Sequence, residues 1–105
     1  MRHIIFYDNG HSYDEHRQYP VCVANDAAHA EREVKRLNAW IAKTREKFPL
    51  IEGGTMEEDA WIEAEDKRRE KIGRLQMPYG DDCIRDGIQY GQGSFYITAV
   101  PTAKP

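Results

Sequence analysis

The residue types best suited to metal or proton chemistry gather in one short stretch. His11, Asp14 and His16 follow each other closely, with Glu15 between them and His3 upstream. Two imidazoles and a carboxylate form the ligand set of many zinc and non-haem iron sites, and the same groups serve as general acids and bases. The spacing HxxDxH, however, matches neither the helical HExxH nor the CxxC arrangements, in which secondary structure fixes the ligand directions. His11, Asp14 and His16 are therefore the lesser candidate here, for a metal site or for a small metal-assisted or acid-base enzyme. The leading expectation is a protein with no metal, no cofactor and no catalytic residue.

Other catalytic constellations are missing from the sequence. Cys22 and Cys83 are the only cysteines, 61 positions apart and outside any CxxC pair, so they read as free, partly buried thiols. Neither neighbours a histidine, no GxSxG elbow occurs, and Ser12 and Ser94 lack an evident base. Gly91 and Gly93 in YGQGS have no Lys-Ser/Thr pair after them and lead into a strand, which makes a turn rather than a phosphate loop.

Charge is more informative. From Glu57 to Asp66 there are six acids and no base, and from Lys67 to Arg74 five bases and one acid. Both halves suit the dipole of a helix. An antiparallel partner helix carrying Arg32, Lys35 and Arg36 would set these beside Lys67, Arg68, Arg69, Lys71 and Arg74, eight bases facing only Glu31, Glu33 and Glu70. Such a cluster would attract an acidic protein surface or a phosphate backbone. Tyrosine outnumbers phenylalanine by six to three, and Tyr and Trp favour interfaces because one ring offers both contact area and a hydrogen bond.

The elements that must position these residues follow from periodicity. Residues 3–7 alternate Ile4 and Phe6 against Ile5 and run into Asn9-Gly10, so they form a strand ending in a turn. Residues 19–24 form a second strand, with Pro20 placing it at an edge, and the polar stretch 10–18 links the two. After the N-cap residues Asn25 and Asp26, apolar residues at 27, 30, 34, 37, 41, 44 and 48 step by three and four up to Pro49, which predicts a helix. That heptad stripe could serve the core or a dimer seam. Thr55 and Glu58 form a capping box for a second helix starting at Met56, with Trp61, Ala64, Ile72 and Leu75 as its stripe and Arg68 in an apolar position. Pro78 prevents continuation much beyond Gln76. Cys83-Ile84 and residues 88–90 read as short strand pieces about an Asp86-Gly87 turn, and residues 94–100 as a strand closed by Pro101.

These elements predict an α+β fold: a small antiparallel β-sheet, in the order β-β-α-α-β, packed against an antiparallel two-helix hairpin. Residues 1–101 form one domain, and 102–105 fray. With 33 charged residues against 19 Ile, Leu, Val and Phe, the core depends on its aromatic residues. No stretch is apolar enough for a membrane span or a signal peptide, so a cytoplasmic protein without membrane contact is expected. The expected function is a non-enzymatic interaction module that binds a protein or nucleoprotein through the charged hairpin, as a monomer or homodimer. Salt-sensitive nucleic-acid binding through the basic residues is a further alternative. In general build, though not in any motif, the chain is similar to small accessory proteins of phages and mobile elements, inhibitors of host defence among them.

Overall fold

The computed structural model describes residues 2–54 and 56–100. Thr55 of the expected capping box and the expected frayed end 102–105 lie outside the described residues. Three strands, β1 (Arg2–Asp8), β2 (Gln18–Ala24) and β3 (Ser94–Val100), form one antiparallel sheet in the order β2-β1-β3. Ile5 stands opposite Cys22 and Ile97, and Tyr7 opposite Tyr19 and Phe95. A register shift between Ile5 and Phe6 gives β2 an extra residue, next to the edge proline Pro20. Because side chains alternate along a strand, Ile5, Tyr7 and Phe95 enter the core and Ile4, Phe6 and Tyr96 turn to the opposite face.

Helix α1 (Ala27–Lys47) begins where expected, with the Asp26 side chain accepting from the His29 N–H at 2.8 Å. Ala30, Leu37, Ile41 and Thr44 are buried on its stripe, which serves the intramolecular core rather than a dimer seam. Helix α2 (Glu58–Gly73) starts two residues later than expected and ends at the glycine that weakens its last turn. It returns antiparallel to α1: Trp61 Nε1 donates to Ile51 O at 3.0 Å, Arg68 lies at Phe48, and residues 76–79 reach Arg36 and Trp40. Among the described residues no helix is long and apolar enough to cross a membrane.

Residues 83–90 correct the expectation of strand pieces, because they form a third helix, α3 (Cys83–Tyr90). Ile84, Gly87 and Ile88 are its buried residues, and their spacing of three and one is one face of a helix rather than two strands about a turn. Gly87 is the point where α3 crosses the Tyr7 side chain. A Cβ there would stand 1.6 Å from the Tyr7 hydroxyl oxygen, so only glycine permits this approach. Gly91, with φ of 67°, closes the helix in the left-handed conformation and donates its N–H to Gly87 O.

Arg68 is the second correction. Expected as a surface cation, it is only 6% exposed. Its guanidinium donates to Phe48 O, Ile88 O and Gln89 O at 3.0–3.2 Å and to Glu65 Oε1 at 2.9 Å. Phe48 is the C-cap of α1, and Ile88 and Gln89 belong to the last turn of α3. A cation therefore satisfies the unpaired carbonyls at the negative ends of two helices, while Glu65 balances its charge. An arginine occupies the apolar stripe of α2 because it has three helices to join there.

Candidate functional site

Four surfaces bear on function, and the loop between β1 and β2 builds the first. Asn9 is buried and organises residues 9–17: its side chain donates to Glu15 O at 2.9 Å and accepts from the His11 and Arg17 N–H groups at 3.1 and 3.0 Å. The loop thereby sends its two histidines in different directions. His11 turns towards α3, where Nε2 stands 2.7 Å from Asp86 Oδ2 and Gln92 Nε2 donates to Nδ1 at 2.9 Å. Its ring meets Tyr90 edge-on at 5.2 Å. His16 turns to the outer side of the sheet and bonds Asp8 Oδ2 at 2.9 Å. That bond, with help from the Gly10 N–H and Gln18, holds the Asp8 carboxyl below the usual aspartate range.

His11, Asp14 and His16 therefore do not converge. Among the described residues no group of three or more His, Cys, Asp or Glu side chains comes together as metal ligands. What forms instead is a polar cavity of about 450 Å³ lined by His11, Asp14, Arg17, Cys83, Asp86 and Tyr90, among others. It holds the residue types of an acid-base site, but His11 and Asp86 are engaged with each other. Both ring nitrogens of His11 have protein partners, which leaves none for a substrate proton. Burial, followed by Asp81 and Asp82, pushes the Cys83 thiol up, the opposite of an activated nucleophile. Asp86 and Gln92, unseen in the sequence as partners of His11, lie more than 70 residues away from it in the chain.

The expected basic cluster is divided. Lys67, Arg68 and Lys71 lie at the C-terminal end of α1, around Phe48 and beside Lys47. Arg32, Lys35 and Arg36 lie on its first half, and Arg36 is twelve residues, or about 18 Å, from Phe48. The reason is overhang: Arg68, well inside α2, already stands at Phe48, the C-cap of α1, so the first turns of α2 extend past the end of α1. Most of the remaining charge is paired locally. Arg36 binds Glu33, Lys67 binds Glu63 at 3.2 Å, and Arg74 binds Glu70. Arg69 binds Glu65 at 3.0 Å and lies over the Tyr90 ring. Arg32, Lys35 and Lys71 are exposed.

The largest departure from the sequence reading is on the sheet. Helices cover one face of it. On the other, Phe6 and Tyr96 stack with centroids 5.6 Å apart and planes at 17°, flanked by Ile4, the exposed Pro20 and Val23, which is 56% exposed. The signal was present in β1: Ile4, Ile5, Phe6 and Tyr7 are apolar on both faces of the strand, whereas a sheet with one wet face alternates. The edges are less available than the face. Asn38 grips the outer side of β3, donating to Phe95 O at 3.2 Å and accepting from Phe95 N at 2.9 Å, as a neighbouring strand would. On β2, Pro20 lacks a donor.

No protein-family model matches the chain, and no curated protein and no solved structure is significantly similar to it, so fold and surface chemistry alone bear on its function.

Proposed function

We propose that the protein is a non-enzymatic interaction module that docks a protein partner against the face of its sheet that the described residues leave uncovered. The observation that carries this reading is the Phe6–Tyr96 stack, half-buried among Ile4, Pro20 and Val23 on the face turned away from the helices. Aromatic residues on a contiguous apolar surface are the usual anchors of an interface. Covering about 200 Å² of apolar surface contributes roughly 5 kcal/mol before the costs of association, enough to matter in a partner's affinity.

A protein suits this face better than a nucleic acid. Arg2 and Asp8, at opposite ends of β1, are the charged strand residues that point to that side. Stacking of bases on an aromatic platform needs a run of cations for the phosphates, and among the described residues Arg2 is the one Lys or Arg on this face. The engaged state of His11 and Cys83 supports a module without catalysis.

The test is affinity capture from the native host with the wild type, Phe6→Asp and the double variant Lys35→Glu/Arg36→Glu, all checked for an unaltered melting temperature. The expected result is that Phe6→Asp lowers capture of the specific partner at least tenfold, while the helix variant keeps it. Capture retained by Phe6→Asp and lost in the helix variant would move the site to the helices.

A further inference from the structure

The connection after α1 and the flank of α2 enclose a groove of about 360 Å³ that no described residue fills. Phe48, Ile51 and Ala64 form its floor, and Lys47, Lys67 and Lys71 its rim. All three lysines are exposed. An occupant must therefore offer an apolar anchor beside carboxylates. This chain carries that chemistry at the start of the same helix: Met56, 45% exposed, is followed by the exposed Glu57, Glu58 and Asp59.

The spacing makes the match reciprocal. Glu57, Ala64 and Lys71 recur at intervals of seven residues, and Ala60, Lys67 and Arg74 do the same, so the six share the a and d positions of one heptad stripe. Glu57 and Lys71 are equally far from Ala64. When two such helices lie antiparallel about a two-fold axis at Ala64, Glu57 of each faces Lys71 of the other, and the small Ala60 and Ala64 allow close approach. The overhang of α2 past the end of α1 leaves its acidic first turn free to reach a second molecule, and the groove of that molecule lies alongside.

We infer that two copies of this chain associate through α2. The acidic start of each α2, anchored by Met56, docks in the lysine-rimmed groove of the other. A two-fold contact of this kind closes on itself, because the same patch serves both sides. The site is separate from the sheet face, so the dimer would present two copies of that face to a partner.

Sedimentation equilibrium of the purified chain tests this. The wild type should dimerise reversibly at micromolar to millimolar concentration, with the dissociation constant rising at least about tenfold between 0.05 and 1 M salt as charge is screened. Lys71→Glu and Glu57→Lys should each be monomeric with unchanged helical content, and an equimolar mixture of the two should recover a dimer, since both contacts of the mixed pair join opposite signs. Phe6→Asp should dimerise like the wild type. A wild type that stays monomeric in low salt, charge variants that still dimerise, or a dimer that depends on Phe6 instead would each overturn the inference.

Discussion

The junction of the three helices and the outer face of the sheet reverse the ordinary distribution of residue types. At the junction a guanidinium is buried, where the period of α2 calls for an apolar side chain; on the sheet a phenylalanine and a tyrosine stack, half-buried, on the face turned away from the helices. The difference lies in what each group has left to bind. Arg68 is surrounded by carbonyls at two helix ends and by Glu65, so its bonding capacity is used inside the molecule. The Phe6–Tyr96 pair stacks half-buried on a face that no described element covers, so part of its capacity to bury area remains outside. Several exposed charges of α1 and α2 are neutralised by local pairs, whereas the apolar outer face of the sheet has no described element against it.

This contrast can be broken most sharply at Arg68. Arg68→Ala leaves Glu65 with Arg69 alone and strands the terminal carbonyls of α1 and α3, and it should cost about 3–5 kcal/mol in urea unfolding, as removal of one partner from a buried ion pair does. A loss below about 1 kcal/mol would mean that the junction is solvated and that Arg68 belongs with the surface cations.

Tyr7, on the inner face of the same strand as Phe6, gives the next effect. Burial pushes its hydroxyl up to about 12, against the ordinary value of 10. A raised acid favours the folded state while protonated, so this stability is complete below about pH 10 and is lost as pH rises through about 12, roughly 2–3 kcal/mol in all. Alkaline unfolding monitored by tyrosinate absorbance should show a cooperative rise near the upper value, and Tyr7→Phe should remove its contribution to the pH dependence.

Gly87→Ala should cost about 1–3 kcal/mol by overpacking α3 against the Tyr7 hydroxyl. The double variant with Tyr7→Phe should recover part of that loss in a thermal melt, because the oxygen standing 1.6 Å from the new methyl is gone. Strict additivity would place the clash elsewhere.

The smallest stability effect belongs to the outer face. Phe6→Ser and Tyr96→Ser should each cost no more than about 1 kcal/mol, the scale of one cross-strand pair, while sharply reducing partner capture. A loss of several kcal/mol at Phe6 would show that this face already supports the fold.

Much of the fold was legible in the chain because its strongest signals are local: alternation in residues 3–7 and 94–100, and the three-and-four period ending at Pro49. Helix α3 was not, since Asp86-Gly87 has the composition of a turn and the need for a glycine at Gly87 arises from Tyr7, 80 positions away. The site residues were less legible still. His11 stands beside His16 in the sequence but finds its partners in Asp86 and Gln92, and the two histidines part to opposite sides of the sheet. Arg68 looked like one cation among eight because its acceptors are backbone carbonyls, which carry no signature in a sequence. The open face was half legible: both faces of β1 are apolar, but only the topology reveals that one layer of helices covers just one of them.

The most direct test of the central claim places a photoreactive phenylalanine analogue at Phe6 in one protein and at Lys35 on α1 in another, with irradiation in the presence of the captured partner. The expected result is a covalent adduct from Phe6 and none from Lys35. An adduct from Lys35 with none from Phe6 would contradict it and place the interaction on the charged helices.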